Sequence, residues 1–329
     1  MNDRTGTPEI AGNAQLLRDL QHIRRSGHLP HALLLHGERG CGKKLIADWF
    51  VRLALCEHPE NAPCGECRNC RLVRDHAHPD VLYAEHSGKR MGFSVETVRM
   101  IRAEAAILPN NGDLRIFLFT DADGMSIQAQ NALLKSVEEP PPHALFLFTA
   151  ETLGSLLPTL LSRMTAKAVF PVQADECVRS LTARGYAQSD AENAAARFGG
   201  NIGKCLAYLS DETTRKAAET AAALTAALAA QNEYDVLRLL TSAAADKDQL
   251  HRTLELLDAQ LRDAAVLALT DSPVRLGCDA AAAQALALRL TPRRALKMHG
   301  AVSEAFADLD SNVGGVLTVT ALCAALMSC

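Results

Sequence analysis

Aromatic residues are scarce in this chain. They make up 4% of its 329 residues, and Trp49 is the single tryptophan. With alanine and leucine dominating instead, the composition favours helix over sheet. An excess of charge is also missing: the formal net charge is −4 and the isoelectric point lies near 6.3. That balance argues against broad nucleic-acid binding by the chain alone, although it leaves room for a local basic patch. No apolar run approaches the ~20 residues of a membrane span. The start, Met1 to Gly6, lacks the apolar segment of a signal peptide, so a cytoplasmic location is expected. In that reducing compartment, close cysteine spacing reads as metal binding rather than as disulfides.

What is present is 48% hydrophobic residues, enough for a substantial core, over a length that suits two or three domains. Leu16, Leu17, Leu20 and Ile23 share one face of a helix expected over Asn13 to Arg25. The apolar run from His31 to His36 ends in glycine and reads as a buried strand. Lys43 to Cys56 reads as a helix, and Pro79 to Tyr83 as a second strand. Ser94 is placed to cap a helix, with Glu96 in its first turn and Val98, Ile101, Ala105 and Leu108 on one face. Further strands are expected at Leu114 to Thr120, Ala144 to Thr149 and Thr165 to Phe170, and a helix from Ser126 to Glu138 stopped by Pro140, Pro141 and Pro142.

Strands alternating with helices imply a parallel α/β sheet. After Pro171 the strand signal ends. Three helices are expected from Asp175 to about Leu209, with Gly199, Gly200 and Asn201 as a turn. From Asp211 onward the pattern is helical, with Leu250, Leu254, Leu257 and Leu261 at helical spacing, and with breaks at Asp271 to Pro273 and Thr291 to Pro292. The alanine runs Ala221 to Ala223 and Ala280 to Ala283 read as close helix packing rather than low complexity.

The stretch from Gly37 to Lys44 has the form of a phosphate loop. Gly37, Gly40, Gly42 and Lys43 stand where backbone N–H groups and an ammonium cradle phosphates, between a strand and a helix. Its magnesium side is damaged. The position of the Ser/Thr hydroxyl is Lys44, which cannot ligate magnesium and would repel it. Asp121 ends the third strand, where a metal-orienting acid belongs. The residue that would polarise an attacking water is Ala122, and Asp123 comes one position too late. Hydrolysis is therefore expected to be slow or absent. A glycine turn without ligand and a site that holds nucleotide weakly, without turnover, both fit the loop.

Cys56, Cys64, Cys67 and Cys70 follow, separated by seven, two and two residues. Four soft sulfurs in this spacing select zinc in a closed structural site, with an iron–sulfur cluster as the lesser alternative. Arg68, Arg71 and Arg74 can offset the tetrathiolate charge, and His58, His76 and His78 are nearby competing ligands. The remaining cysteines, Cys41, Cys177, Cys205, Cys278, Cys323 and Cys329, are scattered and read as ordinary core or surface residues.

The run from Asn131 to Pro141 (NALLKSVEEPP) resembles the signature helix of clamp-loader subunits, the AAA+ proteins that open the sliding clamp of a replicative DNA polymerase. Leu161-Ser162-Arg163-Met164 resembles their Ser-Arg-Cys motif, with Met164 in place of the cysteine, and Leu29 to Gly37 is similar too. A cysteine knuckle between the helix and the second strand belongs to the bacterial branch.

This resemblance implies an AAA+ phosphate-loop domain with an inserted zinc knuckle over 1–172, a small helical lid over 173–209 and an all-α collar over 210–329. It implies that Arg163, with Ser162 anchoring its loop, reaches in trans into the ATP site of an adjacent gamma/tau subunit. Thr149 falls at the first sensor, and Lys204 where ATPase members carry a second-sensor arginine. Glu138 and Glu139 would contact other subunits. The implied partners are gamma/tau and delta subunits, and, through the complex, the sliding clamp and primer-template DNA. Zinc would be structural, and ATP with magnesium weakly bound or not bound. Two rival readings remain: an active gamma/tau-like ATPase, and a zinc-dependent DNA-binding module using Arg68, Arg71, Arg74, Lys89 and Arg90. The second lacks the aromatic interleaving that base stacking uses.

Overall fold

The computed structural model describes residues 10–86, 93–269, 279–311 and 313–329, without the side chains of Ala280 and Asp310. Lys89, Arg90, Cys278 and the break at 271–273 lie outside the described residues. The chain forms two compact units, one ending at Pro171 and the other starting at Val172.

Among the described residues the first unit is built on five strands: β1 (Ala32–His36), β2 (Val81–Tyr83), β3 (Arg115–Phe119), β4 (Ala144–Ala150) and β5 (Thr165–Ala168). They form one parallel sheet in the order β2-β3-β4-β1-β5. Its central strands are buried on both faces, which is why they read as unbroken apolar runs rather than alternating patterns. The alternation is between two cores. Leu34, Phe117, Phe119, Phe146 and Phe148 face one side. Leu33, Leu35, Ile116, Leu118, Leu145 and Leu147 face the other. Phe119 stacks on Phe148 with ring centroids 4.8 Å apart, and Phe117 on Phe146 at 5.3 Å. Each such ring contributes about 1.5–3 kcal/mol of burial.

Among the described residues six α-helices complete this unit: α1 (Ala14–Arg25), α2 (Lys43–Leu55), α3 (Arg68–Arg74), α4 (Val95–Ala105), α5 (Ile127–Glu138) and α6 (Pro158–Leu161). Val98, Ile101 and Ala105 of α4, with Ala129, Leu133 and Val137 of α5, pack on the phenylalanine side. Leu16 and Leu20 of α1, with Ile46, Phe50 and Val51 of α2, cover the other. Ser94 caps α4 by accepting from the Thr97 N–H at 3.0 Å. Leu108 does not share the buried face of α4 as its spacing suggested. The helix closes at Ala106, so Leu108 leaves the periodic stripe and is 73% exposed. Phe170 likewise lies beyond the end of β5 and is exposed.

Among the described residues the second unit is helical throughout: α7 (Ala174–Thr182), α8 (Gln188–Arg197), α9 (Ile202–Ser210), α10 (Glu212–Ala229), α11 (Glu233–Ala243), α12 (Lys247–Leu267), α13 (Ala280–Ala287), α14 (Pro292–Asp310) and α15 (Gly315–Ser328). The first three pack together around Cys177, Leu181, Ala194 and Cys205, all buried. Gly200, at φ +80°, closes the turn before α9, and a Cβ there would meet the Val172 carbonyl oxygen at 2.0 Å. Leu224, Leu228, Leu240, Leu250, Leu254, Leu257 and Leu261 share one core with residues of α14 and α15. Ala221 is fully buried in α10, which packs against α12, in keeping with the close helix packing its alanine run implied. Among the described residues no helix is long and apolar enough to cross a membrane.

Candidate functional site

The phosphate loop joins β1 to α2. Gly37, at φ +153°, runs so close to the segment leaving β5 that a Cβ would meet the Val169 carbonyl oxygen at 2.1 Å. Gly40 and Gly42 also have positive φ, at 91° and 93°, and Gly42 starts α2. The backbone path of an anion-binding turn is thus preserved, but its cations are used internally. Lys43 is buried, and its ammonium donates to the carbonyl oxygens of Gly37 at 2.6 Å and Glu38 at 3.1 Å. Lys44 Nζ lies 2.5 Å from Asp121 Oδ2. Burial, and after it the Lys43 charge, push the His36 imidazole below its ordinary pKa.

The acidic side is equally committed. Asp123 accepts from the Glu151 N–H at 2.7 Å, the Thr152 N–H at 3.2 Å and the Ser155 hydroxyl at 2.7 Å, which makes it a loop brace. Ala122 is fully buried. Thr149 is buried within β4, which runs on to Ala150, and its hydroxyl accepts from the Asp121 N–H at 2.9 Å. Glu151 is a member of this group that sequence reasoning missed. Burial raises its pKa, and Asp123 and Asp121 add to the rise against the opposing pull of Lys43 and Arg39. Its position just past an apolar strand was the available signal.

Ser162 and Arg163 follow the short helix α6. The Ser162 hydroxyl donates to the Thr159 carbonyl at 3.1 Å. Arg163 Nη1 donates to the Thr159 carbonyl at 2.5 Å and to Ser162 Oγ at 3.1 Å, while Nη2 lies 2.5 Å from Glu138 Oε1. Gln130, also missed, is buried in α5 and ties this segment down. Its amide donates to the Met125 and Ser155 carbonyls at 3.0 and 3.1 Å, and its oxygen accepts from the Leu157 N–H at 2.7 Å. A buried polar side chain satisfied on three sides fixes the approach to α6. Lys204 lies in the first turn of α9, where its N–H donates to the Asn201 cap at 3.1 Å.

The sulfurs of Cys56, Cys64, Cys67 and Cys70 all lie within 4.8 Å of one another. Ideal tetrahedral coordination at ~2.3 Å sets ligand atoms about 3.8 Å apart, so the four thiols need only a small contraction to hold one ion. Backbone N–H groups are already turned on them. Those of Cys64 and His58 donate to Cys56 Sγ at 3.4 Å, that of Cys67 to Cys64 Sγ at 3.3 Å, and that of Cys70 to Cys67 Sγ at 3.4 Å. Such donors favour the thiolate form that a metal requires. Burial works against the Cys64 thiolate, but the N–H groups of Cys67 and Glu66 and the thiols of Cys56 and Cys67 outweigh it and bring the pKa to about 7. No histidine joins the cluster among the described residues. The ring of His78 instead accepts from the Asp80 N–H at 3.1 Å.

The geometry is therefore a phosphate-loop domain with internal cations, an arginine at the end of a short helix and a four-thiol knuckle. Residues 12–172, which contain all of these, match the family described as DNA polymerase III, delta subunit. The likeness to that family covers this stretch, just under half of the chain.

It is similar to DNA polymerase III subunit delta' of Pseudomonas aeruginosa, 34% identical over 139 residues, which is 42% of each chain. It is also similar to the subunit delta' of Haemophilus influenzae, 35% identical over 140 residues, covering 42% of this chain and 41% of that one. DNA polymerase III subunit tau of Bacillus subtilis is 30% identical over 156 residues, covering 47% of this chain and 27% of that one. The aligned stretches span less than half the length of these curated relatives. All three similarities therefore concern a part of each protein.

Proposed function

We propose that this chain serves as a delta-prime-type stator of a bacterial clamp loader, lending Arg163 to the ATP site of an adjacent gamma/tau subunit without turning over ATP itself. The observation that carries the reading is the Lys44–Asp121 pair, a side-chain cation set against the carboxylate that would orient magnesium. The ammonium excludes a second cation from that carboxylate, and Ala122 supplies no base for water. The loop retains its fold and loses its metal chemistry.

Arg163 suits the donated role because a guanidinium stays protonated and its planar fork spreads charge over phosphate oxygens. Ser162, whose hydroxyl donates to the Thr159 carbonyl, would anchor the turn that carries it. The knuckle would hold zinc through Cys56, Cys64, Cys67 and Cys70. Four thiolates leave no open coordination position, so the ion would be structural. Residues 173–209 would form a lid and 210–329 a collar that joins gamma/tau and delta subunits in a ring. Clamp and primer-template DNA would be met through the assembled complex.

The test is reconstitution with gamma/tau and delta subunits. Arg163→Ala should leave assembly intact and lower clamp- and DNA-stimulated ATPase at the affected site by roughly 10- to 1000-fold. Unchanged ATPase removes the trans role. Ordinary ATP turnover by the purified chain alone would replace the stator with the motor reading.

A further inference from the structure

We propose that Glu138 is a positioning residue that parks the Arg163 guanidinium against its own subunit, so that a neighbouring phosphate must draw it away. The inference rests on the trans role of Arg163 proposed above. Arg163 is held at both ends of its fork, by the Thr159 carbonyl and Ser162 hydroxyl on Nη1 and by the Glu138 carboxylate on Nη2. Its side chain is 36% exposed and that of Glu138 43%, so the pair is solvent-screened and exchangeable. A terminal phosphate, with more charge and more acceptor oxygens, can outcompete a single carboxylate.

The placement of Glu138 gives the pairing its direction. It is the last residue of α5, with Glu139 as the C-cap, and Lys135 is the basic residue of that last turn. Carboxylates at a helix C-terminus face the negative end of the dipole and gain from a cation brought by another element. Arg163 is that cation. Releasing it leaves the Glu138 carboxylate unpaired at that helix end, which sets a threshold for the swing. The threshold is well defined because α5 cannot drift. Ser126 caps it by accepting from the Ala129 N–H at 3.2 Å, and Ala129, Leu133 and Val137 are buried against the sheet.

The test compares Glu138→Gln, Glu138→Asp, Arg163→Ala and the Glu138→Gln/Arg163→Ala double variant in the reconstituted complex, each with and without clamp and primed DNA. Glu138→Gln should raise the unstimulated kcat about two- to five-fold, the scale of an exposed ion pair. The stimulated rate and the KM for ATP should stay unchanged, because ATP sits on the neighbour. Glu138→Asp should restore the low unstimulated rate, and the double variant should match Arg163→Ala. If Arg163→Ala is defective while Glu138→Gln keeps the wild-type unstimulated rate, or lowers the stimulated one, parking is refuted and the trans role stands. If Arg163→Ala has no effect, both fall together.

Discussion

Lys44 Nζ and Asp121 Oδ2 lie 2.5 Å apart, joining the second residue of α2 to the turn that follows β3. Both side chains are at least half exposed, so the pair adds little to stability. Its consequence is electrostatic, since a tethered ammonium set against the Asp121 carboxylate repels magnesium from it.

Replacing that cation should therefore reopen the metal side. Lys44→Ser supplies the missing hydroxyl and frees Asp121. We expect magnesium-dependent affinity for a non-hydrolysable ATP analogue to rise on the order of tenfold, about 1.4 kcal/mol. Turnover should stay absent, because Ala122 remains. Calorimetric titration with and without EDTA reads this directly. Tight, magnesium-dependent binding by the wild-type chain would contradict it.

The knuckle should carry about one zinc per chain, measured by elemental analysis. Cys70 is its most deeply buried member, at 1% exposure. Cys70→Ser should abolish the metal and cost roughly 2–4 kcal/mol, which corresponds to a Tm lower by about 5–15 °C in a unit of this size. Metal affinity should also fall with pH as protons compete for the thiolates. Iron in place of zinc, or native stability in the metal-free protein, would count against a structural zinc site.

Asp211 caps α10 by accepting from the Thr213 N–H at 3.0 Å, and it also binds Thr214 and Arg252. The Thr214 hydroxyl and then the Arg252 guanidinium lower its pKa from 3.8 to about 2. The folded protein therefore holds this proton less tightly than the unfolded chain does. The contribution is fully present above the unfolded value and is lost as pH falls through about 2. Asp211→Asn keeps a capping oxygen and removes the charge. Its Tm should lie below wild type at pH 6, and the gap should close between pH 4 and pH 2. A gap independent of pH would show that the charge does not matter there.

Much of this fold was legible because its signals are local. The runs Ala32–His36, Arg115–Phe119 and Ala144–Ala150 are apolar on both faces, which only strands buried between two helical layers require. The cysteine knuckle is set by spacing along one short segment. The failures have the same root. Helical periodicity carried α4 on to Leu108, although the chain had already turned at Ala106. Spacing could not pair residues that the fold brings together from afar. Asp80 is fully buried and accepts from the N–H groups of Asn110 and Asn111, thirty and thirty-one positions away. Cys177 and Cys205, which read as scattered core or surface residues, are buried with sulfurs 3.8 Å apart. Glu138, expected to serve contacts between subunits, also pairs with Arg163 of its own chain, which spacing alone did not show.

The amino-acid sequence by itself determined which chemistry is possible. It carries four thiols at metal spacing, a glycine loop with a lysine in place of a hydroxyl, and an arginine after a proline-started turn. Residue type and short-range spacing are covalent properties, so they are present before any folding. Only the tertiary structure decided which charges neutralise one another: Lys44 with Asp121 and Arg163 with Glu138. Those pairings depend on separations of a few ångströms between distant segments, and such separations exist only after the sheet and its helices have packed.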